Sequence, residues 1–570
     1  MKSLSMIVGC LILVSFGLPA NSQDQILWGN AVPENWTGDW PDEFRTASER
    51  SGFTTTANNQ EILEYFALLM WHSEYVHMFN MFVSDRGHAC PVLVMANPRV
   101  TSAEEARESG KPVIYLQGGI HPGEGEGKEA LLLLVRDILF GDKQYLLDEL
   151  IIMVVPNFNV DGNETRTIGH GMPQLSGIRQ NALGYDINRD AIKLETTNMR
   201  AAYTQVFNPW DPVLIYDTHR MGRVTHGYPI VYAGSNVPAA HQDVRDYVTY
   251  RIFPAITEGG RENGQIEIFF HAGFNRDEWP PTEFTHDNAI WSTEGKFMVS
   301  GYGLRNRMAI LVETVAYLNF EKMVYSQYVC AYEVLRYSYA HGREMMEVCR
   351  AADEEVVGNI LRYAATGSLM NHVAGEYVSE GKFDILGYET IEQEFIPGTS
   401  IRRVKPELIE RAPDVIPNVS LVTKPVGTRQ AAVPRGYLIP ADLGFLAQKL
   451  RILGLTVEEL AGPVKARGEE FVITELSHVR SGGYDMTVLD GSFAAIESKT
   501  LPAGTYLLDM AQPLANKAFY ALEPEVGDGF IGWNLLDDYF RELGVHERSI
   551  VYPVFKYFEL LEEPVLVERE

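Results

Sequence analysis

Residues 113–129, Val-Ile-Tyr-Leu-Gln-Gly-Gly-Ile-His-Pro-Gly-Glu-Gly-Glu-Gly-Lys-Glu, constrain this 570-residue chain more than any other stretch. The uncharged, β-branched opening reads as a strand covered on both faces, and the apolar run 130–135 behind it reads as a helix. Glycines between the two mark a tight turn at the carboxyl end of the strand, where open α/β sheets hold their ligands. Into that turn the sequence puts His121 and Glu124, two metal-ligating side chains three residues apart. Alone, a His-x-x-Glu is a weak signal, because such a pair commonly shares only a surface turn.

The pattern recurs along the chain. Residues 90–96, 150–155, 212–216 and 308–312 are apolar runs of strand length, and the last two lead into Asp217-Thr218-His219 and Glu313. Helical spacing is read at 61–79, at 239–256 and from 321 to about 365. This alternation predicts an α/β fold with a mixed, largely parallel sheet flanked by helices. From residue 375 onward, short β-like pieces (394–396, 420–423, 470–474, 505–509, 550–553) alternate with Gly, Pro and Asn turns around one helix at 441–453. They predict a smaller, β-rich α+β unit without a catalytic constellation. The expected organisation is a signal peptide at 1–22, a lead-in segment at 23–60, a catalytic domain at 61–370 and a C-terminal accessory domain at 371–570.

A formal net charge of −28 excludes nucleic acid and anionic membrane as partners, since both need clustered Lys and Arg. Lys2, the apolar run 6–18 and the small residues after it have the form of a secretory signal, so a secreted or periplasmic protein is expected. Ile7-Val8-Gly9-Cys10 offers the alternative of a lipoprotein anchored through Cys10. No later segment has the roughly 20 apolar residues of a transmembrane helix. Past the signal remain Cys90, Cys330 and Cys349, an odd number that implies no disulfide framework. Cys330 and Cys349 fall on one helical stretch about 28 Å apart, so buried thiols are expected.

A catalytic zinc takes three protein ligands and keeps one position for water. His121 and Glu124 supply two, and His219 is a sensible third, with Asp186 and Asp217 as carboxylates that could orient imidazoles. Four further motifs follow the first: Pro156-Asn157-Phe158-Asn159-Val160-Asp161-Gly162, then Gly177-Ile178-Arg179-Gln180-Asn181, then Gly184-Tyr185-Asp186-Ile187-Asn188-Arg189-Asp190, and last Ile310-Leu311-Val312-Glu313-Thr314. In this order, with Asp217-Thr218-His219 before the last, they make residues 60–345 resemble the zinc metallocarboxypeptidases, the carboxypeptidase A-like peptidases. The stretch 501–534 resembles the extra domain of secreted bacterial members, which supplies no activity.

The resemblance implies one zinc ion per chain on His121, Glu124 and His219. It implies Glu313 as the general base and acid, and Asn188 with Arg189 as the grip on a terminal carboxylate. Arg179 is implied as the group that polarises the scissile carbonyl. These roles suit the residue types: a carboxylate in reach of water can take its proton, and an Arg fork matches a carboxylate in bidentate geometry. The implied substrate is a peptide or amino-acid conjugate with a free carboxylate; oligomeric state stays open.

Departures from the family pattern are Val160 in the Asn-x-Asp-Gly turn and Arg220-Met221 after the third ligand. The family's substrate-binding tyrosine has no match at its usual spacing, where Trp291 falls, and Tyr302 is the candidate. The insertion 269–302 is expected to roof the cleft. His170, His226, His241, His271 and His286 receive no role. Two other readings keep the same scaffold: a zinc amidohydrolase that deacylates N-acyl amino acids, and a non-catalytic binding protein.

Overall fold

The computed structural model describes residues 26–568 apart from 169–174, 223, 276–278, 287–291, 390–392, 396–401, 405–409, 482 and 545–549. The signal peptide, Cys10, His170 and Trp291 lie outside the described residues. Eight strands form the central sheet: β1 (Val76–Val83), β2 (Ala89–Met95), β3 (Val113–Gln117), β4 (Ile151–Val155), β5 (Leu214–Met221), β6 (Ile230–Ala233), β7 (Ile268–Phe270) and β8 (Met308–Val315). Their order is β1-β2-β4-β3-β5-β8-β6-β7. The run β4-β3-β5-β8 is parallel, as is the pair β6-β7, whereas β1-β2, β2-β4 and β8-β6 are antiparallel. The sheet is the mixed, helix-flanked one expected from the alternation of apolar runs.

Every residue of β3 and β4 is buried, as strands covered on both faces require. Successive side chains go to opposite faces, so Val113, Tyr115, Ile151, Met153 and Val155 join one apolar cluster and Ile114, Leu116, Ile152 and Val154 the other. Helix α1 (Asn59–His72) starts at a capping box between Asn58 and Glu61. It stops at His72, short of the expected end at 79, because Val76 onward pairs with β2 and becomes β1. Helix α2 (Glu126–Phe140) follows the glycine turn, and helix α3 (Phe320–Tyr363) runs for 44 residues and carries Cys330 and Cys349. All three described cysteines are buried and free. Burial pushes the Cys330 and Cys349 thiols up to about 12, out of the range of a reactive thiolate.

Helix α2 can lie against β5 only because residue 127 lacks a side chain. A Cβ there would stand 2.0 Å from Thr218 Oγ1 and 2.3 Å from Thr218 Cβ. Gly127→Ala is therefore expected to cost about 1–3 kcal/mol by overpacking, read as a lower midpoint in chemical denaturation. An unchanged midpoint would mean that the helix is not wedged against Thr218.

Beyond α3 two of the short β-like pieces prove to be parts of long strands, 420–423 inside Asp414–Ala432 and 470–474 inside Val464–Ser481, while the other three fall on the short strands Gln393–Phe395, Tyr506–Asp509 and Ile550–Val551. Two more long strands, Met370–Gly387 and Tyr484–Leu501, complete the hairpins. Much of their outer surface is polar and exposed, so ladder hydrogen bonds rather than apolar runs define their length. Strand Asp414–Ala432 also pairs with Glu283–Thr285 of the insertion between β7 and β8. The cluster under Tyr115 continues without a break into Tyr437, Leu450, Phe519 and Phe530. The apolar core thus includes residues from both sides of the expected border at 370/371. Among the described residues no helix is long and apolar enough to cross a membrane.

Candidate metal centre

The strand β3 and its glycine turn deliver His121 and Glu124 to the carboxyl end of the sheet, and β5 brings His219 beside them. Three donor atoms face one another there. His121 Nδ1 lies 3.3 Å from Glu124 Oε2, and His219 Nδ1 lies 3.2 Å from each of them. Tetrahedral zinc with bonds of about 2.0–2.1 Å needs donors about 3.3 Å apart, so the triangle has the right edge. Among the described residues this is the cluster of His, Cys, Asp and Glu that could hold a metal ion.

The far nitrogens are fixed as a metal site requires. His121 Nε2 is 3.0 Å from Asp186 Oδ1, and His219 Nε2 is 3.0 Å from Asp217 Oδ2. Each imidazole thus hands one N–H to a carboxylate and turns the other nitrogen to the donor triangle. Asp217 and His219 are i and i+2 on β5 and share a face. Behind Asp217 stands a buried chain: Tyr115 Oη donates to Gln117 Oε1 at 2.8 Å, and Gln117 Nε2 donates to Asp217 Oδ1 at 3.1 Å. The Arg220 backbone N–H donates to Glu124 Oε2 at 3.2 Å, and its guanidinium donates to the Gly123 carbonyl at 2.6 Å.

The electrostatics point the same way. Burial alone would raise the Glu124 carboxyl, but the His121 and His219 imidazoles hold it well below the usual range. Asp186 is held low against burial by His121, Arg179 and Arg189. Burial works against a charged His219, yet Asp217 and Glu124 push it up to about 10. Asp186 is paired with Arg179, whereas Glu124 and Asp217 face the two imidazoles, so the donor atoms lie beside negative charge that a metal ion could meet.

Glu313 sits in register with His219 on the neighbouring parallel strand, so both project to the same side of the sheet. Both residues lie inside their strands, β8 and β5, rather than beyond them as expected, because the ladder between the two continues to Val315 and Met221. Arg179 donates from Nε to Asp186 Oδ2 at 2.8 Å, and its Nη1 is 3.5 Å from Glu124 Oε1. Its side chain is 40% exposed. Asn188 Oδ1 accepts from the Met298 N–H at 2.8 Å, and its Nδ2 is 3.4 Å from His219 Nε2. The Arg189 guanidinium lies over the Phe297 ring at 4.5 Å and donates to the Asn188 carbonyl at 2.8 Å.

Tyr302 is a correction. It is fully buried, and its hydroxyl donates to the Pro212 carbonyl, so it packs under the sheet and takes no part in the cleft. The reason is its helix, Met298–Gly303, every residue of which is buried. A residue given no role stands beside Glu313 instead. His271 Nε2 is 3.5 Å from Glu313 Oε1, and His271 Nδ1 is 3.3 Å from His286 Nδ1, with both imidazoles buried. The available signal was position: His271 follows β7 directly, as His219 and Glu313 occupy the ends of their own apolar runs.

Residues 294–298, which carry Phe297 and Met298, are held from the C-terminal unit. The Lys296 N–H donates to Asp528 Oδ2 and the Gly295 N–H to Tyr520 Oη, each at 2.8 Å, while the Tyr520 hydroxyl donates to Asp528 Oδ1. Burial, then Glu294, push the Asp528 carboxyl up to about 7, with Tyr520 and Lys296 working against them. Because this folded value lies above an unfolded Asp near 3.8, the protonated group stabilises fully below about pH 4, and that contribution is lost as pH rises toward 7. Relative to the native chain, Asp528→Asn should therefore gain thermal stability between pH 4 and 7 and level off above; parallel melting profiles would refute this.

Residues 65–244 match the zinc carboxypeptidase family. Over 479 residues the chain is 24% identical to carboxypeptidase 2 of Trichophyton rubrum, covering 80% of this chain and 79% of that protein. It is 25% identical over 469 residues to a probable carboxypeptidase 2 of Trichophyton verrucosum (strain HKI 0517), covering 78% and 80%. Among solved structures, carboxypeptidase A from Helicoverpa armigera overlaps 56% of this chain and 80% of its own with a TM-score of 0.39 and 14% identity. Over residues 65–244 the chain is thus similar to the zinc carboxypeptidases.

Proposed function

We propose that the chain removes residues from the carboxyl end of peptides, with one zinc ion held by His121, Glu124 and His219. The triangle of donor atoms with edges of 3.2–3.3 Å carries this reading. Zinc in such a site lowers the pKa of a bound water to about 7 and polarises a carbonyl. Glu313, in register with His219, takes a proton from the attacking water and delivers it to the departing amine. Arg179 offers its guanidinium to the charge that grows on the scissile carbonyl oxygen. Asn188 and Arg189 receive the terminal carboxylate, so the enzyme works from a chain end. We read residues 61–370 as the catalytic domain, 371–570 as the accessory one, and the chain as exported behind a signal at 1–22.

The test is a peptide library, half free acids and half C-terminal amides, incubated with zinc-loaded protein with and without chelator and read by mass spectrometry. Chelator-sensitive loss of single terminal residues from the free acids alone supports the proposal. Cleavage confined to small N-acyl amino acids would refute it. Arg189→Lys keeps the charge but not the fork, and a lost charged hydrogen bond is worth about 1.5–3 kcal/mol. KM for free acids should rise about 10- to 100-fold with kcat little changed; an unaltered KM would remove Arg189 from the carboxylate site.

A further inference from the structure

Two independent sets of contacts bring the C-terminal unit to the carboxylate end of the cleft. The first is the hold on residues 294–298, in which Asp528 and Tyr520 take the N–H groups of Lys296 and Gly295. The next two residues of that loop are the ones that fix the proposed carboxylate grip: Phe297 lies under Arg189 and the Met298 N–H reaches Asn188. Asp528 and Tyr520 are both buried, so neither hydrogen bond is diluted by water.

The second set is an aromatic lip. Lys193, four residues beyond Arg189, lies over three rings: Trp533 at 4.4 Å, Tyr484 at 5.7 Å and Tyr185 at 5.3 Å. Tyr484 and Trp533 meet edge to face at 5.2 Å, and both come from the C-terminal unit. Burial and then Asp186 push the Tyr484 phenol up while Arg189 and Arg179 pull it down, so the ring lies within the field of the site's charges. The contacts between the units are otherwise deep. Lys517 Nζ is buried and donates to the Gly301 carbonyl and Tyr203 Oη, each at 2.8 Å, and to the Ala191 carbonyl at 3.1 Å.

We infer that the C-terminal unit is a working part of the substrate site, with Asp528 the positioning residue that holds loop 294–298 and, through Phe297 and Met298, the Arg189–Asn188 pair. The inference rests on the reading of that pair as the carboxylate grip. Asp528 touches no substrate; it acts by keeping a guanidinium and an amide in place, where a misplacement of about 1 Å can cost about a hundredfold.

The test measures kcat and KM on paired free-acid and amidated peptides for the zinc-loaded full chain, Asp528→Ala, Asp528→Asn, Tyr520→Phe and Arg189→Lys. Asp528→Ala should raise KM for free acids at least tenfold and narrow the preference over amides, while zinc content stays at the native level. Asp528→Asn, which keeps an acceptor for the Lys296 N–H, should restore most of it, and Tyr520→Phe should fall between. Tyr520→Phe removes a single oxygen and serves where Asp528→Ala does not fold. A fall in kcat at constant KM and constant preference, as from fewer folded molecules, overturns the inference. If Arg189→Lys loses the preference and neither the Asp528 nor the Tyr520 variants do, the inference fails and the carboxylate reading stands. If Arg189→Lys also leaves KM unmoved, the reading fails and takes the inference with it.

Discussion

Glu313→Gln is expected to keep one zinc per chain and to lose turnover by about a hundred- to ten-thousand-fold. The amide has nearly the shape of the carboxylate, so β8 keeps its register with β5 and the donor triangle is untouched. What disappears is the basic oxygen that accepts the proton of water. His271, 3.5 Å from Glu313 Oε1, remains in place but faces the carboxylate rather than the donor atoms, and so does not replace it. The measurement is zinc by elemental analysis beside kcat on a free-acid peptide. A zinc-loaded variant with near-native kcat would move the general base to another residue.

The second large effect is at the metal. His219→Ala removes one corner of the triangle and leaves Asp217 buried with no imidazole to receive. Stoichiometric zinc and activity should be lost together, as they should on treatment of the native protein with a chelator, with activity returning only in the latter on adding zinc. Asp217→Asn is the finer version. It leaves His219 but can no longer accept its N–H as a charged group, and the affinity for zinc should fall about 10- to 100-fold. Full zinc occupancy in His219→Ala after dialysis against a competing chelator would show that the ion is held elsewhere.

Much of this site was legible in the chain because its parts are local. A glycine-flanked His-x-x-Glu behind an apolar run, and an Asp-x-His within another, need only strand periodicity to face one way. The ordered motifs that carry the family resemblance imply His121, Glu124 and His219 as ligands, and the structure brings their donor atoms within 3.3 Å. Asp186 and Asp217 were read as imidazole partners and each lies 3.0 Å from one. The α/β class was legible for the same reason, since burial of β3 and β4 on both faces is written in their unbroken apolar composition.

What the tertiary structure alone decided depends on residues far apart in the chain. Tyr302 could not be told from a cleft residue by spacing, and only the packing of its helix under the sheet shows its hydroxyl spent on Pro212. The place of His271 beside Glu313 depends on how β7 and β8 flank β6, which no local pattern records. The long hairpins after residue 370 carry polar outer faces and are held by pairing between strands, so hydrophobic period marks only fragments of them. The hold of Asp528 on Lys296 joins residues 232 positions apart. Sequence determines which side chains can do the chemistry, because strand and turn geometry are short-range; which of them meet is settled by burial, because long-range contacts form only where a common core closes over them.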